Sequence, residues 1–179
     1  GIYVGWVVTD NPSSDATLLA LRKAILQYGI PRNIYVDNGR EYLNTDIGGL
    51  GHRTKKRTKD QSPLPTPILT RLGITMTNAL PRNGQAKIIE REFRNFTFLS
   101  RLFDTYCGNT PSNRPEKLKR HLKAGRIPTD GELTQIVDDM IEGYFNLQTY
   151  NGKVAFDRGK TRMEVYRDHL HGVRMASEE

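Results

Sequence analysis

Two acids stand out by their type and setting. Asp37 ends the run Asn33-Ile-Tyr-Val-Asp37 and is followed at once by Asn38-Gly39. The run has the composition of a short strand, and in open α/β sheets ligands and catalytic groups collect at the carboxyl ends of strands. The Asn-Gly turn would lead the backbone away and leave the carboxylate in a crevice. The same three residues are also ordinary turn chemistry, and on position alone both readings stand. Glu90 lies in Gly84-Gln-Ala-Lys-Ile-Ile-Glu-Arg-Glu-Phe-Arg94, about one and a half turns into a predicted helix. Ile89, Phe93 and Phe96 mark the expected buried face, with Glu90 at its edge and Lys87, Arg91 and Arg94 flanking it. Lys87 and Arg94, at i−3 and i+4, are near enough to pair with it, as they would also be on a solvated amphipathic helix. An acid amid several bases is an odd metal ligand in isolation. It makes sense where the metal is flanked by DNA phosphates.

The scaffold around these acids can be read from period and punctuation. Residues 2–8, Ile-Tyr-Val-Gly-Trp-Val-Val, have the β-branched and aromatic make-up of a largely buried strand. Asn11-Pro-Ser-Ser-Asp15 supplies a turn and capping oxygens, and Leu18, Leu21, Ile25 and Tyr28 recur at helical spacing. Gly29 and Pro31 stop that helix, and 33–37 is the next strand. Strand, helix, strand is the grammar of an α/β sheet with a parallel pair. From about 44 to 70 no period survives: Gly48-Gly-Leu-Gly51 leads into Arg53, Lys55, Lys56, Arg57 and Lys59, then Pro63, Pro65 and Pro67. This reads as a mobile, basic surface loop. A strand resumes at 73–77, and a helix is expected over 85–106. Beyond 109 the pattern is helical: a basic segment at 114–123, and a capping box at Thr129-Asp-Gly-Glu132 ahead of an apolar stripe of Leu133, Ile136, Val137, Met140, Ile141, Tyr144 and Phe145. A second box, Thr161-Arg-Met-Glu164, opens a last short helix. The expectation is an α/β domain over 1–108 and a helical part over 109–179.

Composition narrows the partners. The 179 residues carry 27 Lys+Arg against 20 Asp+Glu, a net +7 and a pI near 9.6, which favours an acidic partner such as nucleic acid. The excess is local. Residues 51–60, 82–101 and 112–126 together carry +12, leaving −5 on the remainder. One cysteine, Cys107, excludes an intrachain disulfide and a Cys-rich zinc site and suits a reducing compartment. No apolar run is long enough to span a membrane. The first residues lack the basic segment and cleavage site of a signal peptide, and a chain that opens on a strand without Met reads as a cut end. Gly48-Gly-Leu-Gly51 runs into His-Arg, not the Lys-Ser/Thr of a nucleotide loop. His169 and His171 read as surface histidines, Trp6 as a core residue, and Glu41 and Glu92 as acids pointing away from any shared site.

Tyr35-Val-Asp-Asn-Gly-Arg-Glu-Tyr42 with Asn83-Gly-Gln-Ala-Lys-Ile-Ile-Glu-Arg-Glu-Phe93 resembles the second and third acidic motifs of the DDE transposase and retroviral integrase superfamily, closest to phage Mu-type transposases. Val4-Gly-Trp6 with Thr9-Asp-Asn-Pro-Ser-Ser-Asp15, Phe145-Asn146 and Gly152-Lys-Val-Ala-Phe156 extend the likeness over nearly the whole chain. The resemblance implies an RNase H-like (integrase-type) core, N-terminally truncated, followed by a helical extension. It implies carboxylates holding two Mg²⁺ or Mn²⁺ ions, with Asp37 matching the second acid and Glu90 the third. The first acid, on an earlier strand, has no match here. Expected DNA contacts are Lys87, Arg91 and Arg94 near the scissile phosphate, with Arg53, Lys55, Lys56 and Arg57 adding sequence-independent affinity. The implied partners are double-stranded DNA, as transposon ends and target, and further copies of the full-length protein, in a bacterial or prophage setting in the cytoplasm. Two readings stand beside it: a non-catalytic DNA-binding or assembly module, and an RNase H-like nuclease that cleaves without joining. A chain with two of three ligands is expected to be inactive by itself.

Overall fold

The structure is a computed structural model that describes residues 1–36, 47–48, 66–79, 92–94, 96–97, 100–101, 103–108, 110–125 and 127–176. Its elements in chain order are α1 (Ser14–Tyr28), β1 (Asn33–Val36), α2 (Ile68–Arg71), β2 (Thr75–Asn78), α3 (Leu118–Lys123), α4 (Asp130–Met140) and α5 (Arg162–Asp168). Packing divides the chain into two units, Gly1–Leu80 with Thr134–Glu179, and Pro81–Leu133. Among the described residues, no helix is long and apolar enough to cross a membrane.

The first unit is organised on α1. Ser13 is extended, and its hydroxyl accepts from the Ala16 N–H at 3.1 Å, satisfying a donor that the helix itself cannot. The helix ends at Gly29, whose φ of +90° suits only glycine. A Cβ at Gly29 would also strike the Val173 side chain and the Arg174 carbonyl. Leu18, Leu21 and Ile25 form the inward stripe, packed with Ile47, Leu69, Ile74, Ile34 and Met76.

β1 and β2 pair in parallel, from Asn33↔Thr75 to Val36↔Asn78. Both alternate, with Ile34, Val36, Met76 and Asn78 half-buried and Asn33, Tyr35, Thr75 and Thr77 exposed. The parallel pair expected between 2–8 and 33–37 is not formed among the described residues; the strand at 33–36 pairs in parallel with 75–78 instead. Two short strands are marginal by themselves; the apolar face covered by α1 supplies the missing stabilisation. Ile47 and Leu69, inside the stretch expected to be loop, are each 2% exposed, and the Leu69 N–H bonds the Ile47 carbonyl at 3.2 Å. Apolar side chains near both ends of that stretch thus belong to the core.

Residues 2–8 make no strand ladder with any described residue. Tyr3 instead exchanges two hydrogen bonds with one side chain: its N–H donates to Asn146 Oδ1 at 2.8 Å, and its carbonyl accepts from Asn146 Nδ2 at 2.9 Å. An amide side chain carries the same donor and acceptor as a peptide group, so Asn146 stands in for one residue of a neighbouring strand. Gly5 packs so closely on α1 that a Cβ would overlap the Ala20 carbonyl and the Ala24 side chain.

Asn146 is brought there by a change of helical pitch. After α4 the chain makes a π turn over Ile141–Phe145, and the Asn146 N–H bonds the Ile141 carbonyl at 2.9 Å. The wider turn rotates the succeeding residues about the helix axis. Ile141, Phe145 and Asn146 become buried, whereas Tyr144, expected on the apolar stripe, is 58% exposed. The chain then returns through an antiparallel bridge, Thr149↔Thr161, and α5. A terminal strap closes the unit. The Ile30 N–H bonds the Arg174 carbonyl at 2.7 Å, and the Arg174 guanidinium donates to the carbonyls of Pro31 at 2.7 Å and Leu72 at 3.3 Å.

In the second unit, the predicted helix over 85–106 appears as helical turns at 92–94, 96–97 and 100 and has ended by 103. Phe93, expected on its buried face, is 54% exposed and rests against Phe96, with ring centroids 6.3 Å apart. The predicted basic helix narrows to α3, preceded by a 3-10 turn at Pro111–Asn113. The first capping box is present: the Thr129 N–H donates to Glu132 Oε2 at 2.8 Å, and the Glu132 N–H donates to Thr129 Oγ1 at 3.3 Å.

Candidate functional site

Asp37 follows Val36, the last residue of β1. That strand end is tied to β2 by the parallel register and by the Ala79 N–H, which bonds the Val36 carbonyl at 2.8 Å. In sequence, Asp37 is the residue that follows this strand. Asp37, Glu90, Lys87, Arg91, Arg53, Lys55, Lys56 and Arg57 lie outside the described residues. Arg94 lies within them, exposed on the helical turn at 92–94. Among the described residues, no group of three His, Cys, Asp or Glu is placed to hold a metal ion.

Among the described residues, every buried side-chain nitrogen and oxygen has a hydrogen-bond partner. Asn146 is 0% exposed; besides its side-chain bonds to Tyr3, its carbonyl accepts from the Met163 N–H at 3.0 Å. It therefore joins the first residues of the chain to the start of α5. Asp157 is 1% exposed. Its carboxylate holds His169 Nε2 at 2.8 Å and Lys160 Nζ at 3.3 Å, and Lys160 also reaches Asp168 at 2.7 Å. The Lys160 ammonium lies 4.1 Å from the centre of the Phe156 ring, a cation–π placement. Burial pushes the Asp157 carboxyl up, but the hydrogen bonds from His169 and Lys160 outweigh it and hold the group below its ordinary value. Lys160 is pushed up, chiefly by its bond to Asp168. At the two capping boxes, the backbone N–H groups of Thr129 and Thr161 hold Glu132 and Glu164 below the usual carboxylate range.

Sequence reasoning missed Asp157. His169, expected as a surface residue, is exposed, and it is also the hydrogen-bonded partner of a buried acid. The i,i+3 spacing of Asp157 and Lys160 was the one available signal, and such spacing is common on surfaces. Trp6, expected in the core, is half-buried, with its indole N–H donating to Asp138. A cavity of about 500 Å³ lies beside the Asn146 clamp, lined by Tyr28, Glu142, Met163, Tyr166 and Arg167 among others. No protein-family model matches the chain, and no curated protein matches it either.

Proposed function

We propose that this chain is the catalytic-core part of a metal-dependent DNA transposase of the DDE type. The full protein would nick DNA at element ends and join the resulting 3′-hydroxyl to target DNA. The observation that carries this reading is the parallel pair of 33–36 with 75–78, whose first strand runs on in sequence into the Asp37-Asn-Gly motif. The Gln-Ala-Lys-Ile-Ile-Glu-Arg run around Glu90 supports it. Asp37 and Glu90 would hold Mg²⁺ or Mn²⁺ together with a further carboxylate. A divalent cation bound there supplies charge stabilisation at a phosphodiester and acidifies a coordinated hydroxyl. Lys87, Arg91 and Arg94 orient the strand through its phosphates, and the cluster Arg53, Lys55, Lys56 and Arg57 adds attraction without sequence preference. The partners are duplex DNA and further copies of the protein.

The test is end joining by the full-length protein, given a pre-nicked duplex with a free 3′-hydroxyl and a target plasmid. Asp37→Asn and Glu90→Gln are each expected to abolish joining and leave duplex binding largely intact. Near-normal joining by either variant refutes the assignment. A second reading, a non-catalytic DNA-binding module, is favoured by one observation: the net +5 of residues 81–133, a charge that serves binding without any catalytic group. Duplex binding by full-length protein that neither cleaves nor joins would establish it.

A further inference from the structure

We infer that α3 carries a phosphate-contact strip for duplex DNA, made by Lys119, Arg120 and Lys123 and flanked by Arg114 and Lys117. α3 has a defined inner side. Leu118 is 6% exposed, and His121 Nδ1 lies 3.5 Å from Asp104. At about 100° per residue, Lys119, Arg120 and Lys123 fall together on the arc opposite those two. All three are exposed, as are Arg114 and Lys117. Among the described residues, no carboxylate is paired with any of the five.

Helix stability does not account for this pattern. A cation in the last turn complements the helix dipole, which explains Lys123. Lys117 is at the N-cap and Lys119 in the first turn, the positive end, where no acid is present. Lys119 and Lys123 are also i,i+4 like charges, which repel across one turn. The arrangement is unfavourable in the free chain, and a polyanion relieves it. The whole unit 81–133 shares the bias, with eleven Lys/Arg against six Asp/Glu, a net +5. From Lys119 to Lys123 the helix rises about 6 Å, and phosphates recur along one strand every ~3.4 Å of duplex axis. Three long side chains over that rise can reach successive phosphates of one strand. The strip itself is deduced from charge and burial; the choice of duplex DNA as its partner rests on the transposase reading. None of its residues belongs to the set expected around the scissile phosphate.

The test is fluorescence anisotropy of the 179-residue chain on a random-sequence duplex across a salt series without divalent ions. The variant carries Lys119→Gln, Arg120→Gln and Lys123→Gln. The expected result is a loss of roughly 2–3 from the slope of log K against log salt, and a fall in affinity of at least about tenfold near 0.1 M salt. The thermal midpoint should stay unchanged, since the three positions are exposed. A charge-preserving variant, Lys119→Arg, Arg120→Lys and Lys123→Arg, should keep the wild-type slope. Independently of any variant, duplex DNA should protect Lys119 and Lys123 of the wild-type chain from acetylation, read by mass spectrometry. An unchanged slope, equal acetylation with and without DNA, or competition by poly-glutamate as effective as that by duplex at equal charge overturns the strip. The two proposals fail separately. Loss of slope in a protein that never joins ends keeps the strip and sinks the catalytic reading, whereas joining with an unchanged slope does the reverse.

Discussion

The two units differ in where they place their polar groups. The first, Gly1–Leu80 with Thr134–Glu179, carries sixteen Lys/Arg against fourteen Asp/Glu and buries Asn146 and Asp157 with every partner in place. The second, Pro81–Leu133, has a net charge of +5; its described Lys and Arg side chains are all exposed, and among its described residues only Leu118 is buried. A buried polar group without partners costs more than its hydrogen bonds contribute, so the first unit uses such groups as position-specific anchors. An exposed cation costs little to hold and stays free to meet an anion. The contrast separates residues that determine the fold from residues suited to hold a partner.

Three measurements put that contrast at risk. The largest effect is expected at Asn146. Asn146→Leu removes the two side-chain hydrogen bonds to the Tyr3 N–H and carbonyl, which should destabilise the chain by about 2–6 kcal/mol at 1–3 kcal/mol per group. Urea unfolding measures this, and a loss below about 1 kcal/mol would mean that water replaces the clamp. The next effect is a pH dependence at Asp157. Its carboxyl lies below the ordinary value when folded, so its stabilisation is present above the ordinary carboxylate range, near pH 4. It is lost as pH falls through the lower, folded value. The stability gap between wild type and Asp157→Asn should therefore be widest at neutral pH and close on acidification; a gap that is constant with pH would show that ionisation plays no part. The smallest effect is at the two capping boxes. Thr161→Ala, in the first unit, and Thr129→Ala, in the second, should each cost about 1 kcal/mol. If Thr129→Ala leaves the unfolding midpoint unchanged while Thr161→Ala lowers it, the second unit unfolds separately from the first.

Local signals were legible and correct wherever one turn of chain decides the outcome. Ser13 caps α1, Gly29 ends it, 33–36 and 75–78 are strands, and both Thr-x-x-Glu boxes close as their spacing requires. The candidate acids were legible as residue types in suggestive settings. Their chemistry depends on distances between groups far apart in the chain, which spacing alone cannot supply. The basic strip was legible only as a run of charge, because its outward arc is defined by the burial of Leu118 and the contact of His121 with Asp104.

Where α1 starts and stops, that 33–36 and 75–78 are strands, and that positive charge gathers in three stretches were all written in the order of residues. Those properties depend on neighbours within a few positions. Tertiary packing set the rest: the apolar run at 2–8 is met by the Asn146 side chain in place of a strand, and a π turn sends Tyr144 outward and Asn146 inward. It also placed Asp157 in a buried position beneath His169. Each of these turns on a polar group finding its partner over 12 to 143 positions of chain. Burial makes such a partner obligatory, and only the folded chain determines which group it is.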